Sequence, residues 1–357
     1  MLKLSKDIKL LKSLISIPSP SGFENKLANL IKQVLLQYLP RTRVTIDFHN
    51  NVIATIKGKS DKIVMIDAHS DQLGFLVNNI DKGGYISLVP IGGHDISLLR
   101  GRKVVILSDK GKINGVIGTK PIHLIDEEKE EIPEKTTDLT LDIGIRRRKQ
   151  VLRYIKIGDP VVLQPEFGQL IDDYYTGSGF DDKAGCFLLI QTIKQIVNSK
   201  RKPIPTLKFV FSSQEEVGCK GAREVVRREN PELFIGVDVT FATDQFEVDE
   251  KEAGRCQLGR GLAIYKGINI HKPAVILLES TARRNKVKIQ YLATTGTGTN
   301  AGYVANTCGG IKVVDMGIPL RYMHSNVEVI NMKDLRTGVK LLKSFLLNRR
   351  LGRVIEK

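Results

Sequence analysis

The sequence of 357 residues contains no tryptophan, and aromatic residues amount to only 6% of the chain. Its four cysteines (Cys186, Cys219, Cys256 and Cys308) are widely spaced and include no Cys-x-x-Cys pair. We therefore expect neither a disulfide framework nor a thiolate zinc site, and the predicted location is a reducing cytoplasm. No apolar run approaches the ~20 residues needed to span a bilayer, and charged residues interrupt the N-terminal segment, so we expect neither a membrane protein nor a secretory leader.

The overall composition is that of an ordinary folded protein. Apolar residues make up 41% of the chain and charged residues 26%. At roughly 150 residues per domain, the length predicts about two domains. The net charge of +16 (55 − 39) would suit a polyanionic partner. The basic clusters are dispersed along the chain, however, and few aromatic residues are present for base stacking, so we expect solvated basic surfaces and no nucleic-acid partner.

Helices alternate with strands at both ends of the chain, which predicts an α/β fold with a mainly parallel sheet flanked by helices. Ser21 and Glu24 have the spacing of a capping box that opens the first helix, and residues 317–319 are predicted to form a turn. The predicted helices cover residues 21–38, 183–197, 219–229, 273–285 and 333–347, and the predicted strands cover residues 44–48, 52–56, 62–68, 206–212, 233–240, 288–293 and 311–316.

The sequence pattern is different in the middle of the chain. From about residue 72, short β-branched runs are broken by glycine, and one acidic stretch covers residues 126–134. This pattern predicts a small β-barrel-like domain at residues 72–168, inserted into an α/β domain that is formed by residues 1–71 and 169–357.

Polar residues follow several predicted strands, at the edge where open α/β sheets place their sites. His69 and Asp71 are two residues apart, so on an extended backbone they share a face and the carboxylate could orient the imidazole for a metal. A surface turn explains the same pattern equally well. Asp181 and Asp182 precede an apolar helix, where one aspartate is a common N-cap. Two in tandem after a glycine-rich approach suggest that one carboxylate faces an ion, although the cap is the simpler interpretation of this segment alone.

Two adjacent glutamates, Glu215 and Glu216, follow the strand predicted at residues 206–212. Buried neighbouring carboxylates repel each other unless a cation or a proton compensates, so one could bind a metal while the other takes a proton from water. An exposed acidic turn is the alternative. Asp238 lies within an apolar run and needs a partner if it is buried. His324 follows the last predicted strand, although a lone histidine is more often structural.

Six of these residues supply two His, two Asp and two Glu to the strand ends and helix start at one sheet edge; they are His69, Asp181, Glu215, Glu216, Asp238 and His324. That inventory suits two divalent ions with a bridging carboxylate, one His and one further carboxylate on each metal, and a spare carboxylate as base. Imidazole and carboxylate ligands favour zinc or cobalt over calcium or magnesium. The other histidines lack acidic neighbours in this arrangement and are interpreted as ordinary; they are His49, His94, His123 and His271.

The motifs that carry these residues resemble, in order and approximate spacing, those of the dinuclear-metal aminopeptidases that include glutamyl aminopeptidases and the tetrahedral (TET) self-compartmentalising peptidases. The similarity extends from the first helix to the last, and residues 115–124 are similar to a segment of the family's inserted dimerisation domain. The motifs are Ala68-His69-Ser70-Asp71, Phe180-Asp181-Asp182-Lys183, Glu215-Glu216-Val217-Gly218, Val237-Asp238-Val239-Thr240 and Arg321-Tyr322-Met323-His324-Ser325.

The resemblance implies a zinc-peptidase-like fold and a role for each motif residue. Asp181 would bridge the two metals, with His69 and Asp238 completing one site and Glu216 and His324 the other. The catalytic residues would be Glu215, as general base, and Asp71, which would orient His69. The family typically has a cis peptide between the two aspartates.

The sequence departs from the family's usual residues at three positions. Gln72 stands where Glu is common, Lys183 where Arg is frequent, and Asn300 where Asp is usual. None of these changes removes an expected ligand or the base, so they bear on substrate preference and metal affinity more than on the reaction.

The predicted function is a metal-dependent aminopeptidase that hydrolyses the N-terminal peptide bond through a bridging hydroxide on two divalent metals. The expected substrates are peptides with a free N-terminus, and the resemblance implies a homodimer or a dodecamer. Two alternatives stay open at this point: an endoglucanase-type glycoside hydrolase, which would need no metal, and a catalytically silent assembly protein.

Overall fold

The computed structural model describes residues 5–124 and 135–356. The acidic stretch at residues 126–134 lies outside the described residues. The described strands, in chain order, are β1 (Val44–Ile46), β2 (Val52–Ile56), β3 (Ile63–His69), β4 (Gly74–Ile80), β5 (Ile86–Ile91), β6 (Lys103–Ser108), β7 (Gly111–Gly118), β8 (Thr140–Asp142), β9 (Pro160–Leu163), β10 (Phe167–Gln169), β11 (Tyr174–Gly177), β12 (Thr206–Ser212), β13 (Leu233–Phe241), β14 (Ala263–Gly267), β15 (Gln290–Thr294), β16 (Val313–Leu320) and β17 (Glu328–Asn331).

Ten α-helices accompany these strands in the described part of the chain. They are α1 (Lys6–Ile15), α2 (Asn25–Leu35), α3 (Arg148–Val151), α4 (Phe180–Asn198), α5 (Lys220–Glu229), α6 (Glu250–Ala253), α7 (Lys272–Arg284), α8 (Asn300–Val304), α9 (Met332–Leu346) and α10 (Leu351–Val354). None of the described helices is long and apolar enough to cross a membrane.

An eight-stranded sheet forms the main body, in the order β1-β2-β12-β3-β13-β16-β14-β15. Its four central strands, β12, β3, β13 and β16, run parallel to one another. Antiparallel pairing is confined to the joins between β1 and β2, between β2 and β12, and between β14 and β16. The carboxyl ends of the central strands therefore meet at one edge of the sheet.

The sheet is buried on both faces because alternate residues of its strands enter two different cores. Val64, Ile66 and Ala68 of β3 belong to the large core, which the helices α1, α4, α7 and α9 cover. Met65, between them, belongs to a smaller core on the other face, which α5 and α8 cover. This period of two, combined with apolar residues at nearly every position, is typical of a central parallel strand.

The chain leaves the main sheet after β3 and forms a closed six-stranded barrel, in the order β4-β5-β8-β7-β6-β9. The barrel has a core of its own, which contains Phe75, Leu88 and Ile106. These features confirm the predicted α/β fold with an inserted small barrel-like unit. The barrel strands begin at Gly74 and end at Leu163, and the boundaries at residues 72 and 168 stay a prediction.

Two local predictions are wrong. Helix α2 begins at Asn25, and Ser21 and Glu24 do not form a capping box, because their side chains bind distant segments instead. The turn predicted at residues 317–319 is part of β16, which continues to Leu320 alongside β13. Pro319 is accommodated because it lies beyond Met316 and Gly317, the residues of β16 that pair with β14.

A three-stranded antiparallel sheet, β10-β11-β17, was not expected from the sequence. It pairs Gly177, near the start of α4, with Glu328, the first residue of β17. The segment that carries Asp181 and the segment that carries His324 are thereby held next to each other.

Candidate metal centre and active site

The sheet brings the expected site residues to its carboxyl edge. Strand β3 ends at His69, which is in register with Ser212 at the end of β12, and Glu215 follows three residues later. Asp238 lies near the end of β13, while His324 follows β16. The different strands therefore deliver their side chains to one place, as the parallel pairing requires.

Asp181 lies between the two histidines and uses a different oxygen towards each. Its Oδ1 is 2.9 Å from His69 Nε2, and its Oδ2 is 3.3 Å from His324 Nε2. His69 Nε2 is also 3.6 Å from Asp238 Oδ1, and His324 Nε2 is 3.9 Å from Glu216 Oε2. A carboxylate in this position is placed to bridge two cations.

Two groups of side chains in the described part of the chain could each hold a metal ion. The first consists of His69, Asp181 and Asp238, and the second of Asp181, Glu216 and His324. Within each group the candidate ligand atoms lie within 4.8 Å of one another. The structure thus brings together all five residues that the sequence suggested as metal ligands, with Asp181 shared between the groups.

The two tandem aspartates have different structural roles. The peptide bond that joins them is cis, and both residues have non-helical φ/ψ values at the start of α4. Asp182 is fully buried and accepts hydrogen bonds from the backbone N–H groups of His69 (3.2 Å) and Gly185 (3.0 Å). Asp182 therefore fills the capping role, which leaves Asp181 free to face the site.

Asp71 contacts both His69 and the backbone of the loop that carries Glu215 and Glu216. Its Oδ1 is 3.4 Å from His69 Nδ1 and accepts the backbone N–H of Glu215 at 3.0 Å. Its Oδ2 accepts the N–H of Glu216 at 3.2 Å and the hydroxyl of Ser21 at 2.6 Å. Asp71 therefore contacts His69, and its role in orienting that ring stays a prediction; the hydrogen bonds to the backbone of both glutamates were not foreseen.

Glu215 lies beside the candidate metal ligands without belonging to either group. The thiol of Cys219 is 3.3 Å from Glu215 Oε1 and donates to it. Glu215 also lines a cavity of about 520 Å³ together with His69, Asp181 and Asp238. A carboxylate in this position is available to accept a proton from a molecule bound in the cavity.

The electrostatics of this cluster favour a bound cation. Burial is the largest influence on the two glutamates: it raises the pKa of Glu215 to about 8 and the pKa of Glu216 well above its ordinary value. Burial also acts to raise the pKa of Asp181, but hydrogen bonds from His324 and His69 outweigh it and lower that pKa. Divalent cations would relieve the repulsion among these carboxylates, and the mixed imidazole and carboxylate donors fit such ions.

Glu328 supports the site and was missed at the sequence level. The side chain is buried, its Oε2 accepts the N–H of Phe180 at 2.7 Å, and its Oε1 accepts the N–H of His324 at 3.2 Å. Burial raises its pKa to about 8. The available signal was a carboxylate between Val327 and Val329, which is the same kind of signal that drew attention to Asp238.

The misassigned capping-box residues also support the site. Ser21 binds Asp71, as described above. Glu24 is fully buried, and its Oε1 accepts the N–H groups of Gly22 at 2.7 Å and Gln214 at 3.2 Å. Gln214 immediately precedes Glu215 and has a positive φ of 55°, so Glu24 helps to fix the backbone from which Glu215 projects.

His94, interpreted as ordinary from the sequence, lines a small cavity next to the site together with Glu216 and His324. Its ring stacks on Phe75 at 4.1 Å, and its Nε2 is 2.8 Å from the carbonyl oxygen of Gly74. Burial lowers its pKa. The barrel thus contributes an imidazole to the wall of the site.

Two of the three departures from the family's usual residues touch each other. The buried ammonium of Lys183 donates to Gln72 Oε1 at 2.5 Å and to the carbonyl of Ile17 at 2.8 Å. Burial lowers the pKa of Lys183 to about 7. The third, Asn300, is buried and donates from Nδ2 to Asp67 Oδ2 at 2.7 Å and to Ser212 Oγ at 3.0 Å. None of the three belongs to either metal group.

Comparison with known proteins identifies the family. The family described as M42 glutamyl aminopeptidase matches residues 50–341, more than half of the chain. The chain is 31% identical to lysyl aminopeptidase of Pyrococcus furiosus, covering 95% of this chain and 96% of that protein.

Solved structures agree with this assignment. A TET aminopeptidase from a marine sediment archaeon of the Thaumarchaeota superposes with a TM-score of 0.92 at 26% identity, covering 98% of each chain. The Pyrococcus horikoshii TET1 peptidase, described as assembling into a tetrahedron or a large octahedral shell, superposes with a TM-score of 0.86 at 28% identity, covering 96% of this chain and 100% of that one. The chain therefore belongs to the M42 family and is an aminopeptidase, a hydrolase that acts on peptide bonds.

Proposed function

We propose that this aminopeptidase uses two divalent metal ions to hydrolyse the N-terminal peptide bond of peptides. The observation that carries the proposal is the position of Asp181, whose two carboxylate oxygens face two different imidazoles. His69 and Asp238 would hold one ion, and Glu216 and His324 the other, with Asp181 shared between them. Zinc or cobalt is the proposed metal, because both accept imidazole and carboxylate donors.

The chain's own residues would carry the proton. When bound, the two cations would lower the pKa of a water molecule towards neutrality and polarise the first peptide carbonyl. Glu215 would accept the proton of that water and deliver it to the departing amine. Asp71 is the positioning residue, since its oxygens hold the backbone of Glu215 and contact the ring of His69.

Metal analysis combined with a substrate screen tests this proposal. We expect about two divalent ions per chain, and hydrolysis of amino-acyl chromogenic substrates that exhaustive chelation abolishes and zinc or cobalt restores. Activity on cellulose that survives chelation would favour the glycoside hydrolase instead. A lack of hydrolysis of any free-amine peptide in the presence of zinc, cobalt or manganese would support the catalytically silent alternative.

Replacement of Glu215 separates its role from that of the ligands. Glu215→Gln keeps the size of the side chain but removes the base, so we expect the metal content to stay the same and kcat to fall roughly 10²–10⁴-fold. Glu216→Gln serves as the matched comparison, because loss of a ligand should lower the metal content as well. Wild-type turnover in Glu215→Gln would remove this residue from the mechanism.

We further propose that the chain forms a homo-oligomer, a homodimer or a dodecamer, through the barrel at residues 72–168. Exposed apolar residues of this inserted segment support the idea, including Val116 and Leu124, which are 48% and 63% exposed. Light scattering coupled to size exclusion measures the molar mass directly. A chain that remains monomeric at micromolar concentration would contradict the proposal.

A further inference from the structure

The cavity beside the candidate metal groups has room for a side chain. It holds about 520 Å³ and is lined by ligands of both metal groups as well as by Glu215. A second cavity is also bordered by Asp181, Glu216 and His324 but holds only about 30 Å³, too little for an amino-acid side chain. Of these two cavities, the larger one is the place where the first residue of a peptide can project.

The wall of the larger cavity is uncharged away from the metal groups. Apart from the candidate ligands and Glu215, none of the described residues that line it is Lys, Arg, Asp or Glu. A charged side chain that entered would lose its hydration and meet no opposite charge in return. The ionic groups that line the cavity would already be engaged by the metals and by the free amine of the peptide.

Large apolar side chains border the cavity and are exposed to solvent. Phe241 is 60% exposed and Tyr303 is 49% exposed, and Met323 also lines the cavity. Exposed aromatic side chains at the border of a concave site mark a surface that is suited to apolar ligands. Small polar residues complete the lining, and Thr240 is already hydrogen-bonded to the hydroxyl of Tyr265 at 2.6 Å.

We propose that this cavity receives the side chain of the N-terminal residue and selects uncharged, mainly apolar residues such as leucine, methionine and phenylalanine. The inference rests on the proposed function, since it assumes that the peptide binds with its first carbonyl at the metal groups. It predicts a substrate preference unlike those in the names of the lysyl and glutamyl aminopeptidases to which the chain is similar.

The first test is the selectivity of the wild-type, metal-loaded protein. We expect kcat/KM for leucyl, methionyl and phenylalanyl p-nitroanilides to exceed kcat/KM for the glutamyl and lysyl compounds by at least about tenfold. A tenfold preference for either charged residue would overturn the inference and leave the aminopeptidase proposal intact. Failure on every one of these substrates would instead remove the proposed function, and this inference with it.

The second test places a charge in the cavity wall. Phe241→Asp should raise the ratio of lysyl to leucyl kcat/KM by about tenfold, and Phe241→Lys should raise the ratio of glutamyl to leucyl kcat/KM by a similar factor. Phe246→Asp is the matched control, because Phe246 is 81% exposed and lies outside the cavity lining. Active Phe241 variants with the selectivity of the Phe246→Asp control would show that the first side chain binds elsewhere. If the variants do not fold, the wild-type selectivity decides alone.

Discussion

Glu24 lies outside the candidate metal groups but contacts the segment that carries Glu215. Its Oε1 is shared by the N–H groups of Gly22 and Gln214, and no polar partner of Oε2 is present in the described part of the chain. A buried carboxylate that binds only backbone donors on two loops joins those loops to each other. Glu24 is therefore a positioning residue for the loop of Glu215.

Truncation of Glu24 should affect both stability and catalysis. In Glu24→Ala, two partly buried hydrogen bonds to a buried carboxylate are lost, so we expect the free energy of unfolding to fall by about 1–3 kcal/mol. Because Gln214 precedes Glu215, we also expect kcat to fall by roughly tenfold with a smaller change in KM. Urea denaturation and steady-state kinetics measure the two effects.

The conservative variant Glu24→Gln is the control for this prediction. Its amide oxygen can still accept from Gly22 and Gln214, so both stability and kcat should recover most of the loss. If Glu24→Ala is less stable but keeps the wild-type kcat, Glu24 has a structural role only.

The sequence predicted some site residues and missed others for a definable reason. His69, Asp181 and Glu216 could be found because His69 ends β3, Glu216 follows the end of β12 and Asp181 lies at the start of α4, so each is next to a recognisable element boundary. Ser21 and Glu24 have the local pattern of a capping box, but their partners Asp71 and Gln214 are 50 and 190 residues away in the chain. Local spacing cannot distinguish a cap from a long-range contact, so tertiary structure decides the function of such residues.

At the scale of secondary-structure elements, helix α9 carries a buried acidic residue that fastens a neighbouring loop. Asp334, in the first turn of α9, accepts the N–H groups of Gly259 and Gly261, both at 2.6 Å. Gly261 has a φ of +94°, and a Cβ there would lie 2.0 Å from the carbonyl oxygen of Lys288. The loop therefore needs glycine to approach both Asp334 and the segment that leads to β15.

The pKa of Asp334 predicts how its contribution to the stability of the folded state depends on pH. Burial raises that pKa from 3.8 to about 6. Between pH 4 and pH 6 the folded state thus binds more protons than the unfolded state, and the associated stability is present at pH 4 and is lost as the pH rises through 6. Asp334→Asn cannot titrate. We expect the stability of the wild type relative to Asp334→Asn to fall by about 1–3 kcal/mol between pH 4 and pH 7.

Urea denaturation of both proteins at pH 4, 5, 6 and 7 measures this difference, and groups that titrate in both proteins cancel. A difference that does not change with pH would show that Asp334 has an unperturbed carboxyl. A difference that changes in the opposite direction would mean that the hydrogen bonds from Gly259 and Gly261 outweigh burial.

Most helices and strands could be predicted from the sequence, because the spacing of their apolar residues reflects which of their faces are buried. The predicted strand at residues 206–212 coincides with β12, and the predicted helix at residues 333–347 differs from α9 by one residue at each end. Helix α1 was not predicted, although Leu11 and Leu14 enter the main core. The continuation of β16 through Pro319 could not be predicted, because it depends on where the pairing with β14 ends.

On the scale of the whole molecule, the fold brings together basic residues from clusters that are far apart in the sequence. Segments near residues 201, 284 and 350 border one cavity of about 500 Å³, which Arg201, Arg284, Arg349 and Arg350 line. All four side chains belong to exposed residues, and none has a carboxylate partner within the ranges that the structure describes. Sequence spacing could not reveal this convergence. A nucleic-acid partner is still not expected, and the cytoplasmic location stays a prediction.

Unpaired like charges around one concavity should destabilise the folded chain at low ionic strength. We expect the double variant Arg284→Gln, Arg349→Gln to melt about 1–3 °C higher than the wild type in low salt, since it removes half of the repelling charges. Sulfate should raise the Tm of the wild type more than chloride does at equal ionic strength, both because it is excluded from protein surfaces and because it is attracted to the arginines. In the double variant, the part of the sulfate effect that comes from attraction to the arginines should become smaller, while the part that comes from exclusion of sulfate from the protein surface should remain.

The control is the double variant Arg227→Gln, Arg228→Gln. These two arginines face Glu224 and Asp47, so we expect no gain in Tm from their replacement. An equal sulfate increment in all three proteins would mean that the four arginines act as independent, fully solvated charges.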